Sequence, residues 1–238
     1  MHKFKFYHMP DHDRASQKAA NLIAAQIHFK PDSVIGLPTG STPIETYEKL
    51  ALMHENGELD FSEVRTFNLD EYLGLPSSDP QSYHYFMHDN LFSKVNIAPD
   101  RNHFPDQNAA DTEQACHDYE AQIAAHGGMD FMFLGIGSNG HIGFNEPSDE
   151  FSTMTNRVAL TEDTIQANAR FFENPDDVPK EAISMGIKTI MGAKKIILLA
   201  NGPAKKEAVH QALYGPITPA LPASILQVHP DVTVIWSD

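Results

Sequence analysis

The sequence predicts an α/β domain with a mostly parallel sheet and helices on both faces. Two observations carry this. Short apolar runs of strand length alternate with segments whose apolar residues recur at helical spacing. No linker, internal repeat or low-complexity stretch interrupts the alternation, so one domain over residues 1–238 accounts for the chain.

The elements follow in order. Residues 4–7 form a first short strand. Ala15, Ala19, Leu22, Ile23 and Ile27 then repeat at helical spacing, with Asp13 as the candidate cap. Residues 33–37 are an apolar strand, followed by a turn-rich loop and a helix over about 43–55. A strand at 64–68 leads into Asp70-Glu71, and 73–81, rich in Gly, Pro and Ser, is loop. Helical patterns cover 83–91 and 112–125. The apolar strand 129–136 runs straight into Gly137-Ser138-Asn139-Gly140-His141. A strand at 195–200, a helix at 205–213 and a strand at 232–236 complete the pattern. Parallel sheets bind ligands at the carboxyl ends of their strands. The loops after Leu37, Asn68, Ile136 and Ala200 are therefore expected on one edge. Residues 171–179, containing Asn174-Pro175-Asp176-Asp177, are the candidate mobile segment.

Composition narrows the partners. The formal net charge of −15 lacks the broad basic face that nucleic acid needs, yet a small phosphorylated substrate needs only two or three cations. The single cysteine, Cys116, allows no disulfide framework within the chain and fits a reducing compartment. The N-terminus lacks the apolar run of a signal peptide, and no stretch approaches the roughly 18 apolar residues of a membrane span. The expected address is cytoplasmic, with no nucleic-acid or membrane partner.

Four places can carry chemistry. Gly36-Leu37-Pro38-Thr39-Gly40-Ser41-Thr42-Pro43 leaves a strand and enters a helix, with Thr42 as candidate N-cap and Pro43 at the first helical position. Free amides at such a helix start bind phosphate, although the same residues also make an ordinary capped turn. In Asn68-Leu69-Asp70-Glu71-Tyr72 two acids follow an apolar run. A partly buried carboxylate there serves as a general base, and an exposed one as a helix cap. Gly135-Ile136-Gly137-Ser138-Asn139-Gly140-His141-Ile142-Gly143-Phe144-Asn145-Glu146 crowds glycines around a histidine, with a carboxylate five residues on to orient its ring. Lys205 and Lys206, opening a helix, oppose its dipole unless an anion sits beside them. His84 and His88 lie four apart on a helix but lack the Glu and Cys partners of a metal motif, so no metal is expected.

Residues 66–75 and 137–147 resemble the two signature segments of the glucosamine-6-phosphate deaminases, in the glucosamine/galactosamine-6-phosphate isomerase family. The resemblance extends to Gln81-Ser82-Tyr83, to Asn168-Ala169-Arg170-Phe171-Phe172, to 178–186 and to 221–227. It implies a modified Rossmann-like fold of the sugar-phosphate isomerase type. It implies conversion of glucosamine 6-phosphate and water to fructose 6-phosphate and ammonia, with no cofactor. In that reading Asp70 moves a proton between C2 and C1. His141 handles the ring oxygen, assisted by Glu146 and Asn139. Gly40, Ser41, Thr42, Arg170 and Lys205 hold the phosphate, and a lid around 160–182 closes over the sugar. Some members carry Asp where this chain has Asn139, so a less basic His141 is expected here. Some longer members are activated by N-acetylglucosamine 6-phosphate at a separate site. Residues 147–156 contain no Lys or Arg to receive it, so no such activation is expected. The short form favours a monomer over a homo-oligomer.

Two other readings stay open on these residues. A 6-phosphogluconolactonase-type hydrolase would share the phosphate loop and Gly140-His141, but 68–72 and 144–147 argue against it. A non-catalytic sugar-phosphate sensor would normally add a basic DNA-binding segment, absent from this acidic chain.

Overall fold

A computed structural model describes residues 4–169, 172, 174 and 177–238. Seven parallel strands form the main sheet. They are β1 (Lys5–Met9), β2 (Val34–Leu37), β3 (Arg65–Asn68), β5 (Asn102–His103), β6 (Phe131–Leu134), β9 (Ile196–Asn201) and β10 (Val232–Ser237). Their spatial order is β1-β10-β9-β6-β2-β3-β5. The direction of winding reverses between β2 and β6, because β3 and β5 extend one way and β9 and β10 the other. Ligands bind at such a switch point.

Strand residues alternate between two cores. Along β9, Ile196, Leu198 and Ala200 enter one cluster, while Ile197 and Leu199 enter the other. The second cluster receives α1 (His12–Phe29), α2 (Ile44–Glu55) and α3 (Tyr83–Asn90). The first receives α4 (Thr112–Ala125), α6 (Ile187–Met191) and α7 (Lys206–Tyr214). Each fully buried Ile or Leu contributes about 1.5–3 kcal/mol. The helical spacing in α1 is borne out: Ala15, Ala19, Ile23 and Ile27 are buried, while Leu22 is only half-buried.

Two expected caps are corrected. Asp11, not Asp13, caps α1, because its carboxylate accepts from the Arg14 amide at 2.8 Å. Asp13 lies in the first turn and pairs with Lys49. Pro43 occupies the N-cap of α2 with no side-chain bond, and Thr42 points elsewhere. Its hydroxyl donates to Asn201 Oδ1 at 3.2 Å and accepts from Lys205 Nζ at 3.1 Å. The Lys205 ammonium supplies Thr42 with a stronger, charge-assisted partner than a backbone amide would.

The sequence reading did not foresee the second sheet. It is antiparallel, in the order β4 (Asp70–Tyr72), β8 (Glu181–Ser184), β7 (Asn156–Ala159). With α5 (Glu162–Ala169) it encloses a small third cluster around Tyr72, Phe144, Leu160 and Ala182. The chain passes from β3 through Leu69 into β4, so Asp70 stands where the two sheets meet.

Candidate active site

The four expected loops do share one edge. They line a cleft of about 540 Å³ that includes Thr39, Gly40, Ser41, Asp70, Asn139, His141 and Lys205. The phosphate-loop candidate Thr42 borders it through its bond to Lys205. Gly40 turns the loop with φ of 89°, a left-handed conformation that L side chains rarely adopt. Arg170 and Phe171 lie outside the described residues.

The adjacent acids have separate roles. Glu71 is fully buried and accepts the amides of Tyr72 at 2.8 Å, Tyr83 at 3.0 Å and His84 at 3.0 Å. His84 Nδ1 also lies 2.8 Å from Glu71 Oε2. Glu71 thus takes the cap role at the start of α3, alongside Ser82. Asp70 is 7% exposed and faces the cleft. Burial, then the charge of Glu71, raises its pKa to about 8. At pH 7 such a carboxyl is about one-tenth ionised and remains a competent base.

His141 is held by its own loop. A Cβ on Gly137 would stand 2.3 Å from the His141 ring, so only glycine leaves room for it. The His141 amide donates to Asn139 Oδ1 at 3.1 Å. Asn139 Nδ2 donates to Glu146 Oε2 at 2.8 Å. His141 Nδ1 stands 3.5 Å from the same carboxylate oxygen, an ion-pair distance rather than a hydrogen bond. Glu146 is therefore the carboxylate that stands beside the ring, and Asn139 braces both. Burial works against the Glu146 charge, but His141, Thr164 and Asn139 outweigh it and hold its pKa low.

Side chains not expected from the sequence complete the walls. Thr164 on α5 donates to Glu146 Oε1. Asn168 donates to the Tyr72 hydroxyl at 2.8 Å, and the Phe172 ring meets Tyr72 edge-on. Burial and then neighbouring charges hold the Tyr72 and Tyr83 phenols neutral. A lone Thr or Tyr has no motif in the sequence, so only the fold could reveal these. Among the described residues, no group of three or more His, Cys, Asp and Glu gathers to hold a metal. The arrangement can anchor an anion at one end and move protons at two separated groups.

Comparison with known proteins decides the family. The family model for glucosamine-6-phosphate isomerases/6-phosphogluconolactonase matches residues 10–236. The chain belongs to this family. Within it, the glucosamine-6-phosphate deaminase of Halothermothrix orenii is 57% identical over 220 residues, covering 92% of this chain and 91% of the relative. That of Lachnoclostridium phytofermentans is 56% identical, covering 92% and 93%. The solved structure of a monomeric glucosamine-6-phosphate deaminase superposes with a TM-score of 0.96 at 46% identity, covering 98% and 97%. The 6-phosphogluconolactonase of Thermotoga maritima shares the fold, with a TM-score of 0.77 at 20% identity, covering 99% and 100%.

Proposed function

We propose that this chain converts glucosamine 6-phosphate and water to fructose 6-phosphate and ammonia. The observation that carries the chemistry is Asp70, a buried carboxyl at the cleft floor with its pKa lifted to about 8. The high identity to deaminases supplies the substrate class.

The phosphate sits on the loop of Gly40, Ser41 and Thr42, with Lys205 and Arg170 as its cations. Binding this end, remote from the reacting carbons, positions the sugar. His141, beside Glu146 and braced by Asn139, donates a proton to the ring oxygen as the C1–O bond breaks, while the C1 hydroxyl gives up its proton to leave the open-chain aldehyde. Asp70 then takes the C2 proton while the aldehyde oxygen regains the proton lost on ring opening, leaving an enol bearing the amine, and Asp70 returns its proton to C1. The resulting C2 imine adds water, and ammonia leaves to give the ketose. Two groups in different environments are needed, since one must hold a proton while the other accepts one. The segment 160–182 acts as a lid, with Thr164 on Glu146 and Asn168 and Phe172 on Tyr72 marking its resting contacts. The protein works as a cytoplasmic monomer.

Offering the protein glucosamine 6-phosphate and 6-phosphogluconolactone separately tests this. Ammonia from the first and no acid above the uncatalysed rate from the second is expected. The reverse pattern would make it a lactonase, and binding without turnover of either would make it a sensor.

A further inference from the structure

Glu71 is a buried anion that no step above uses, and His84 is its one side-chain partner among the described contacts. The pair is tightly built. One oxygen of Glu71 receives both the backbone amide of His84 at 3.0 Å and its ring nitrogen at 2.8 Å. The other oxygen receives the amides of Tyr72 and Tyr83. The imidazole is fixed from its other side by Phe104, stacked at 3.7 Å between centroids and 22° between planes.

The position of this pair gives it a consequence for the reaction. Glu71 follows Asp70 directly in β4, so a full negative charge lies one residue from the candidate base. His84 is part-exposed, and it does not line the substrate cleft. It lines a separate depression of about 620 Å³ together with Tyr85, His88, His103 and Phe104.

We propose that His84 is a positioning residue for the base, its imidazole holding the Glu71 carboxylate and offsetting the negative charge that Glu71 places beside Asp70. The inference rests on the reading of Asp70 as the base. Losing the imidazole leaves Glu71 with its three backbone donors only. Its charge on Asp70 would then be less offset, so Asp70 would hold its proton to higher pH. Besides His141 and Lys205, which share its cleft, the titratable groups around Asp70 are the phenols of Tyr47 on α2, Tyr72 on β4, Tyr83 on α3 and Tyr119 on α4. The four phenols are held neutral, mainly by burial, and contribute no competing charge at the pH of interest, and neither His141 nor Lys205 is altered in the test. Around His84 the other titratable groups are His88 and Tyr85 of α3 and His103 of β5 across the depression.

The test titrates the Asp70 carboxyl carbon by NMR in substrate-free protein labelled at aspartate, the resonance being assigned by its loss in Asp70→Asn. His84→Phe keeps a flat ring against Phe104 and removes the donor. It should raise the Asp70 midpoint by about half a unit or more. His84→Gln restores a donor without the imidazole and should recover part of the shift. His88→Gln, on the same helix but not bonded to Glu71, should leave the midpoint in place. A midpoint that does not move in His84→Phe, or that falls, overturns the proposal. The turnover of Asp70→Asn is read separately. Retained activity there would sink the base assignment itself, whatever the titration shows.

Discussion

Asp70 and Glu71 show how position separates two chemically similar side chains. Glu71 spends its charge on three amides and a histidine, so it serves structure. Among the described residues no side chain or amide donates to Asp70, and burial leaves it proton-hungry. That state has a stability cost with a defined sign. The folded protein keeps the Asp70 proton up to about pH 8, whereas the unfolded chain releases it near 3.8. Folding is therefore favoured by this group below about pH 4, and the contribution is lost as pH rises toward 8. Asp70→Asn removes the dependence. Its melting temperature relative to the parent should climb across that window and level off above it, as a calorimetric pH series would show. Asn139 gives a second residue-scale prediction. Its amide donates to Glu146, so Asn139→Asp would set two carboxylates against one another and force them to share a proton. The pH profile of turnover should shift upward without loss of activity, and an unchanged profile would remove Asn139 from the proton network. The local motif made Asp70, His141 and Glu146 legible in the sequence. It could not show that Asn139 bonds both Glu146 and the His141 backbone, since that depends on a turn set by Gly137 and Gly140.

At the scale of elements, the main sheet was readable because its central strands β2, β6 and β9 are almost wholly apolar runs between turn signals. The small sheet was not. Its strands have only three or four residues, and β7 alternates half-buried with exposed positions, so no run stands out. Long-range pairing alone makes it a sheet, and tertiary context outweighs local preference there. The caps failed for a related reason. Several acids precede α1, and only the backbone decides which one reaches the free amides. One buried carboxylate ties the elements beneath the site. Asp130, before β6, receives Lys30 Nζ at 2.5 Å from the end of α1, the Val34 amide of β2 at 2.9 Å and Lys194 Nζ at 2.7 Å before β9. Burial opposes its charge, but Lys194, Lys30 and the Val34 amide hold its pKa low. Asp130→Ala strands the amide and both ammoniums, and should cost about 2–3 kcal/mol in urea unfolding while leaving KM unchanged. A loss below about 0.5 kcal/mol would mean the lysines are merely solvated.

Across the whole molecule, the parallel sheet brings loops far apart in sequence to one edge at its switch point, and the second sheet sets Asp70 against them. Most of this layout followed from the alternation of strands and helices. What did not was the placing of Thr164 and Asn168 at the cleft, because their contacts to Glu146 and Tyr72 join residues distant in the chain. Among the described residues no helix is long and apolar enough to cross a membrane. The proposed monomer should sediment at the chain mass of 26.4 kDa with and without substrate. A larger species at working concentration would contradict it. The central claim is that Asp70 drives an isomerisation coupled to deamination. Its most direct test incubates chelator-treated protein with glucosamine 6-phosphate and follows ammonia and fructose 6-phosphate together. Equal release of both, falling at least about 10²-fold in folded Asp70→Asn, is the predicted result. Unequal release, or an Asp70→Asn variant as fast as the parent, would contradict the account.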